Sequence, residues 1–435
     1  MLDPTETGWL AKYIEIRSTI PFSNQVNMIE GKEQKLYAHL HDSGILYGHP
    51  IKLPIDLELQ MNDWPVKERL KLIFAEAFIA TGLIMHPDFV ALDSNELETR
   101  FGDSVLAFYE SYRPELLKSG IFSFNKNKTS LSVAEDIFDR RIKVKAQWNS
   151  SFWRGFFHNI LLFVDLIHYI DWINSETEKR ADLLKRQSFE IRWDALKLIS
   201  IATNVDGEVH KNEHRLFDFF IESAEFDKPY RLKAQKLIKK DFKLEQLSID
   251  KNSSWLRRKY FLELAILSIW ADRKISTKEE EFLLELSTYL GFDETDRDSS
   301  ILSVQSFVMN NWERIHFLQE KQNFFILRKH LTERMTKVAK KYTSEIKQEI
   351  HESGELMGLL KLANSRELST SEKEQIRMQL FDILKSIPAF VIFALPFSFL
   401  TIPVLMKIIP KSAFPSSFDP NRLNVKKRGN RTIDS

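Results

Sequence analysis

Apolar residues recur at spacings of three and four along most of the chain, plainly so in "VKERLKLIFAEAFIATGLI" (66–84) and "EEEFLLELSTYLGF" (279–292). That period places apolar side chains on one face of an α-helix and predicts helices at both windows. No two alternating runs are joined by Asn-Gly or Asp-Gly, so hairpins are not expected. The fold class read from the pattern is all-α, a multi-domain helical protein. Breaks fall near "GHPIKLP" (48–54), "FSFNKNKTS" (122–130), "NSETEKRADLLKRQS" (174–188), "DKNSS" (250–254) and "HESGELMG" (351–358). They predict an N-terminal helical domain over 1–185, a middle helical domain over 190–345, an apolar segment over 371–418 and a basic tail over 419–435.

The middle region contains an internal repeat. "NVDGEVHKNEHRLFDFFIESAEFD" (204–227) aligns without a gap on "WADRKISTKEEEFLLELSTYLGFD" (270–293) at an offset of 66 residues. Asp206 matches Asp272, Val209 matches Ile275, Glu213 matches Glu279, Phe217 matches Leu283, and Phe226-Asp227 matches Phe292-Asp293. Charged as well as apolar positions are retained, which marks a duplication.

Three chemistries compete at the repeat. An EF-hand loop would use Asn204, Asp206, Gly207, Val209 and Glu213, but its first position is Ala202 and the second copy offers Ser268, Trp270 and Arg273 at ligand or glycine positions. The string "HKNEH" (210–214) has the His210, Glu213, His214 spacing of one zinc peptidase class, yet Glu213 has its twin in Glu279 and neither histidine has one. Third, Ala202, Asp206, Gly207, Val209 and Glu213, echoed by Asp272, Ile275 and Glu279, form a pattern that resembles the tellurite-resistance protein B family. The resemblance implies a helical module over about 190–345 that binds a divalent cation or a partner, with Asp206, Glu213, Asp272 and Glu279 as candidate metal ligands. The other role open to these carboxylates is helix capping.

From Ile387 to Met406 the chain runs 20 residues without a charge, a length that as a helix matches the roughly 30 Å hydrocarbon core of a bilayer. Pro388, Pro396, Pro403 and Pro410 stand on nearly one helical face and are expected to bend such a helix repeatedly. Two arrangements fit the membrane reading, one transmembrane span or a re-entrant hydrophobic helix; a buried helix of a soluble domain is the alternative. Leu384, Pro388, Pro396-Phe397, Pro403, Lys407, Pro410, Pro415-Ser416 and Phe418 make this segment similar to that of the Letm family of inner-membrane proteins and their bacterial relatives.

The resemblance implies a membrane segment built on Ile387, Pro388, Pro396, Phe397, Pro403, Met406, Lys407 and Pro410, attached to the inner (cytoplasmic) membrane with the large N-terminal region in the cytoplasm. Combined with the repeat, the architecture is similar to bacterial Letm-related proteins described as biofilm-associated. Cation transport and ribosome binding are the family's other implied functions. Against transport, Phe399 stands where the family carries an acidic residue; against ribosome binding, only 17 residues follow Phe418.

Composition adjusts this picture little. Only 13 Gly and 14 Pro among 435 residues favour long helices, and 62 Lys+Arg against 61 Asp+Glu give no overall attraction to nucleic acid. With no cysteine there is neither disulfide nor thiolate site, and the N-terminus lacks the pattern of a secretory signal. "WNSSFWRGFFHNILLFVDLIHYIDW" (148–172) reads as a central helix with Asp165, His168 and Asp171 as its polar edge, or as a membrane-boundary helix. His39, His41, Asp42 and His49 are metal-capable but read as surface residues. No phosphate loop, nucleophile elbow or dinucleotide fingerprint appears, so the expected role is non-enzymatic, with a membrane, a protein partner and a second copy of the chain as the expected partners.

Overall fold

The computed structural model describes residues 2–55, 57, 61–89, 92–117, 128–142, 159–174, 180–205, 211–240, 242–269, 276–310, 321–387, 390 and 399–418. Among them every regular element is helical, which agrees with the all-α expectation. They belong to two compact units, one of Met1–Ser300 with Glu313–Phe317 and one of Ile301–Trp312 with Leu318–Ser435.

The first unit contains α1 (Trp9–Ser18), α2 (Lys32–His41), α3 (Val66–Met85), α4 (Ser94–Tyr112), α5 (Ser130–Arg141), α6 (Phe163–Asn174), α7 (Arg180–Asn204), α8 (Lys211–Ala224), α9 (Lys228–Ala234), α10 (Trp255–Ile269) and α11 (Thr277–Tyr289). Helix α12 (Glu294–Asn310) contributes residues to both units. From Leu70 to Gly82 every residue of α3 is buried, so an apolar surface all round makes it the central helix. Phe78 meets Tyr169 at 4.6 Å and Phe138 at 5.4 Å between ring centroids, which ties α3 to α6 and α5. The expected boundary at 185–190 falls inside α7. Its charged run is made of Arg, Ala, Asp, Leu and Lys, mostly strong helix formers, and the helix carries straight through it.

One expectation about polar residues is corrected here. His39 and His41 are not at the surface, being 5% and 3% exposed. Two places apart on α2, they enter separate clusters: His39 Nε2 lies 2.8 Å from Glu76, while the His41 ring stands 5.4 Å from that of Tyr37. Glu76 also accepts from Tyr13 at 2.7 Å and from Arg17 at 2.9 Å. Burial works against its charge, but Arg17, His39 and Tyr13 outweigh burial and hold its carboxyl below the ordinary range.

The polar edge of α6 is largely covered, with Asp165 and His168 buried and Asp171 half-buried. Asp165 is 1% exposed and accepts from both Arg141 (2.8 Å, Nη2) and Tyr109 (2.8 Å). Arg141 lies 3.2 Å from Glu225, which also pairs with Arg113. Asp171 meets Arg257 at 2.5 Å. His168, fully buried, has no hydrogen-bond partner at either ring nitrogen, and burial with Arg257 and Arg192 pulls its pKa down to about 3.

The second unit contains α13 (Lys321–Lys341), α14 (Thr343–Glu352), α15 (Gly354–Ser365), α16 (Thr370–Ser386) and α17 (Ile402–Ile408). The break read at "HESGELMG" is the join of α14 to α15, where the Ser353 side chain accepts from the Leu356 N–H. Ser369 and Glu372 close a capping box on α16. Leu331, Met335, Ile346, Leu380, Leu384, Leu405 and Ile408 form a core with 0% exposure at each.

Candidate functional site

The repeat and the apolar C-terminal segment hold all the residues singled out for function, and each lies within its own unit. At the repeat the two copies share an element order. In the first copy α7 is followed by residues outside the described set and then by α8 and α9; in the second, α10 is followed likewise by α11 and α12. Phe217 and Leu283, matched at the offset, are 1% and 0% exposed. Asp206 and Asp272 lie outside the described residues, as does His210, and Glu213 has only its helical backbone described.

Glu279 is the one candidate ligand whose side chain is described. It is 6% exposed, and its carboxylate accepts from the Ser276 N–H while Ser276 Oγ accepts from the Glu279 N–H. This reciprocal pair satisfies two N–H groups that the start of α11 would otherwise leave open. Among the described residues no group of three His, Asp or Glu could hold a metal ion.

The C-terminal segment is broken by its prolines. Ile387 leaves α16 with φ −76° and ψ 127°, the extended geometry that Pro388 imposes on the residue before it. Pro388, Pro396 and Phe397 lie outside the described residues. The chain is non-helical again from Phe399 to Thr401, and α17 then starts with Pro403 in its first turn, where the missing N–H costs nothing. Ile409, before Pro410, is extended at φ −74° and ψ 126°, so α17 spans seven residues. The expected single bent helix from Ile387 to Met406 is therefore not what the described residues form, since they are non-helical at Ile387 and from Phe399 to Thr401. No helix among the described residues is long and apolar enough to cross a membrane.

What is described of the segment is folded into the second unit. Ile387, Leu400, Leu405, Met406 and Ile408 are buried, Lys407 and Pro403 are exposed, and Pro410 is half-buried. Because the breaks leave backbone carbonyls without helical donors, side chains from two helices supply them. Arg377 Nε of α16 donates to the Leu400 carbonyl at 2.9 Å and Asn364 of α15 to that of Ser417 at 2.5 Å, while the Thr336 hydroxyl of α13, bonded to the Thr332 carbonyl at 2.8 Å, stands 3.2 Å from that of Lys407. Phe399 is 7% exposed, and the Arg328 guanidinium lies 5.3 Å from its ring centroid. The position thus pairs with a cation already present in the chain. Sequence reasoning had marked Phe399 only as a departure from the family, and the spacing of Arg328, far along the chain, carried no signal of the contact.

Residues 368–434 match the family model described as LETM1-like, RBD. The match begins at the capping box of α16, contains the proline-broken segment, and supports a Letm-related protein. Searches of the curated proteins and of the solved structures found no match.

Proposed function

We propose that this is a membrane-attached, non-enzymatic binding protein of the Letm-related kind, with its large helical first unit carried as a cytoplasmic scaffold. The match over 368–434 is the observation that carries the Letm-related part of the reading. The uncharged run from Ile387 to Met406 supports attachment, since 20 residues without a charge are unusual unless protein or lipid covers them. Cation transport is a weaker fit than binding: the position at which the family places its acid is Phe399, and an arginine faces the ring.

Fractionation with alkaline extraction tests the proposal, comparing the full chain with Ile392→Asp/Leu395→Asp. Retention of the wild type in the membrane pellet and release of the double variant are expected. A wild type that washes off entirely would sink the proposal.

A second reading, contact with the ribosome, is favoured by the RBD in the matched description and by the basic run "NRLNVKKRGNR" (421–431). Co-sedimentation with ribosomes that is lost when Lys426, Lys427 and Arg428 are replaced by Ser would support it; equal recovery of the variant would dismiss it.

A further inference from the structure

Residues 227–243, "DKPYRLKAQKLIKKDFK", carry seven Lys or Arg against two Asp, in a chain whose total charge is only +1. The charge is therefore local, and the fold displays it. Every residue from Lys228 to Lys233 is exposed, and α9 is held to the first unit by the buried Ala234 and by Leu237 and Ile238 beyond it. Leu232 is 54% exposed, so one large apolar side chain stands open among the charges, while Tyr230, 43% exposed, packs its ring against Phe189 at 4.8 Å. Apolar surface left in water there does nothing for the core. Among the described residues Lys228, Lys233, Lys236, Lys239, Lys240 and Lys243 have no ion-pair partner, whereas Arg231 reaches Glu222 at 3.5 Å.

We infer that this exposed face binds an anionic phospholipid surface, with its lysines on the headgroups and Leu232 in the interfacial layer. The contact is additional to attachment through residues 387–406 and rests on none of its features. Two observations favour lipid over nucleic acid. Six of the seven basic residues are lysines, point charges suited to a diffuse anionic surface, and the one arginine is paired with Glu222. A base would need a free aromatic face, but Lys233 sits over the Tyr230 ring at 5.0 Å and Phe189 abuts it at 4.8 Å.

The test uses the full chain with vesicles of phosphatidylcholine alone and of phosphatidylcholine mixed with phosphatidylserine, at low and high salt. The phosphatidylserine-dependent part of binding should fall roughly a hundredfold in Lys228→Gln/Lys233→Gln/Lys236→Gln, at about one kcal/mol per lysine near the surface. It should fall about fivefold in Leu232→Ser, which keeps the charges. Binding to neutral vesicles, which reports on the apolar C-terminal segment, should be unchanged in both variants and lost in Ile392→Asp/Leu395→Asp. Three results would overturn the inference: no preference of the wild type for phosphatidylserine, an undiminished preference in the triple variant, or displacement from anionic vesicles by a single-stranded RNA oligonucleotide.

Discussion

Glu225 and Gly291 occupy the same position in the two copies of the repeat, and both hold the left-handed backbone, with φ of 54° and 71°. The Gly291 N–H donates to the Thr288 carbonyl at 3.0 Å and the Phe292 N–H to that of Ser287 at 2.8 Å, the hydrogen-bond pair of a glycine-terminated helix. In the first copy the Glu225 N–H reaches the matching carbonyl of Glu222 at 3.4 Å. A glutamate in this conformation is strained by about 1–2 kcal/mol. Its carboxylate offsets the strain by pairing with Arg113 and Arg141.

Glu225→Gly should therefore lower stability by about 1–2 kcal/mol, because leaving two part-buried guanidinium groups without that carboxylate outweighs the relief of strain. Gly291→Ala should lose a similar amount, since an added Cβ would stand 3.0 Å from Lys251 Cβ in a left-handed turn. Urea unfolding measures both; a more stable Glu225→Gly would show that the ion pairs contribute less than the strain.

His168 predicts a pH dependence. Tyr112, Asp165 and Asp171 face it together with Arg192 and Arg257, and it stays neutral in the fold. Its folded pKa of about 3 lies below the model-peptide value of 6.5, so as pH falls through 6.5 the unfolded chain takes up a proton that the folded chain refuses. Stability should drop by about 2 kcal/mol between pH 7.5 and 5 through this residue alone. Chemical denaturation of His168→Phe at both pH values should show a dependence smaller by that amount.

Glu279→Ala should reduce stability by about 1 kcal/mol through loss of the capping box at the start of α11. Thermal unfolding of the full chain in chelator and in excess calcium, magnesium or zinc separates capping from metal binding. A wild-type stabilisation by one of these ions that the variant lacks would assign Glu279 to a metal site.

Arg377→Met should lose about 1–2 kcal/mol, since the methionine keeps the aliphatic packing but leaves the Leu400 carbonyl without its donor. Asn364→Ala should cost less, because Asn364 is only half-buried and water can replace it at the exposed Ser417.

Much of this architecture was legible in residue order. Helix class followed from the period, a capping role for Glu279 was one of the two left open, and the matched positions of the repeat extend to the unlike pair Glu225 and Gly291. What periodicity gives is the face of a helix and not what covers it. Asp165 and Asp171 read as no more than a polar edge because their partners, Arg141 and Arg257, come from 24 and 86 residues away. His39 misled for the same reason, its partner Glu76 lying 37 residues on. The prolines misled differently: their even spacing implied one repeatedly bent helix, whereas among the described residues Ile387 and Ile409 are extended before Pro388 and Pro410, and Pro403 begins a helix.

The two side-chain donors that meet the carbonyls of residues 400 and 417, with the buried Leu405 and Ile408, make the proline-broken segment a structural part of the second unit. A truncation before Phe399 would take Leu400, Leu405 and Ile408 out of a shared core and leave Leu380 and Met335 uncovered. Such a deletion would report on folding as much as on any membrane anchor. Loss of function or of solubility in a shortened chain would then say nothing about lipid.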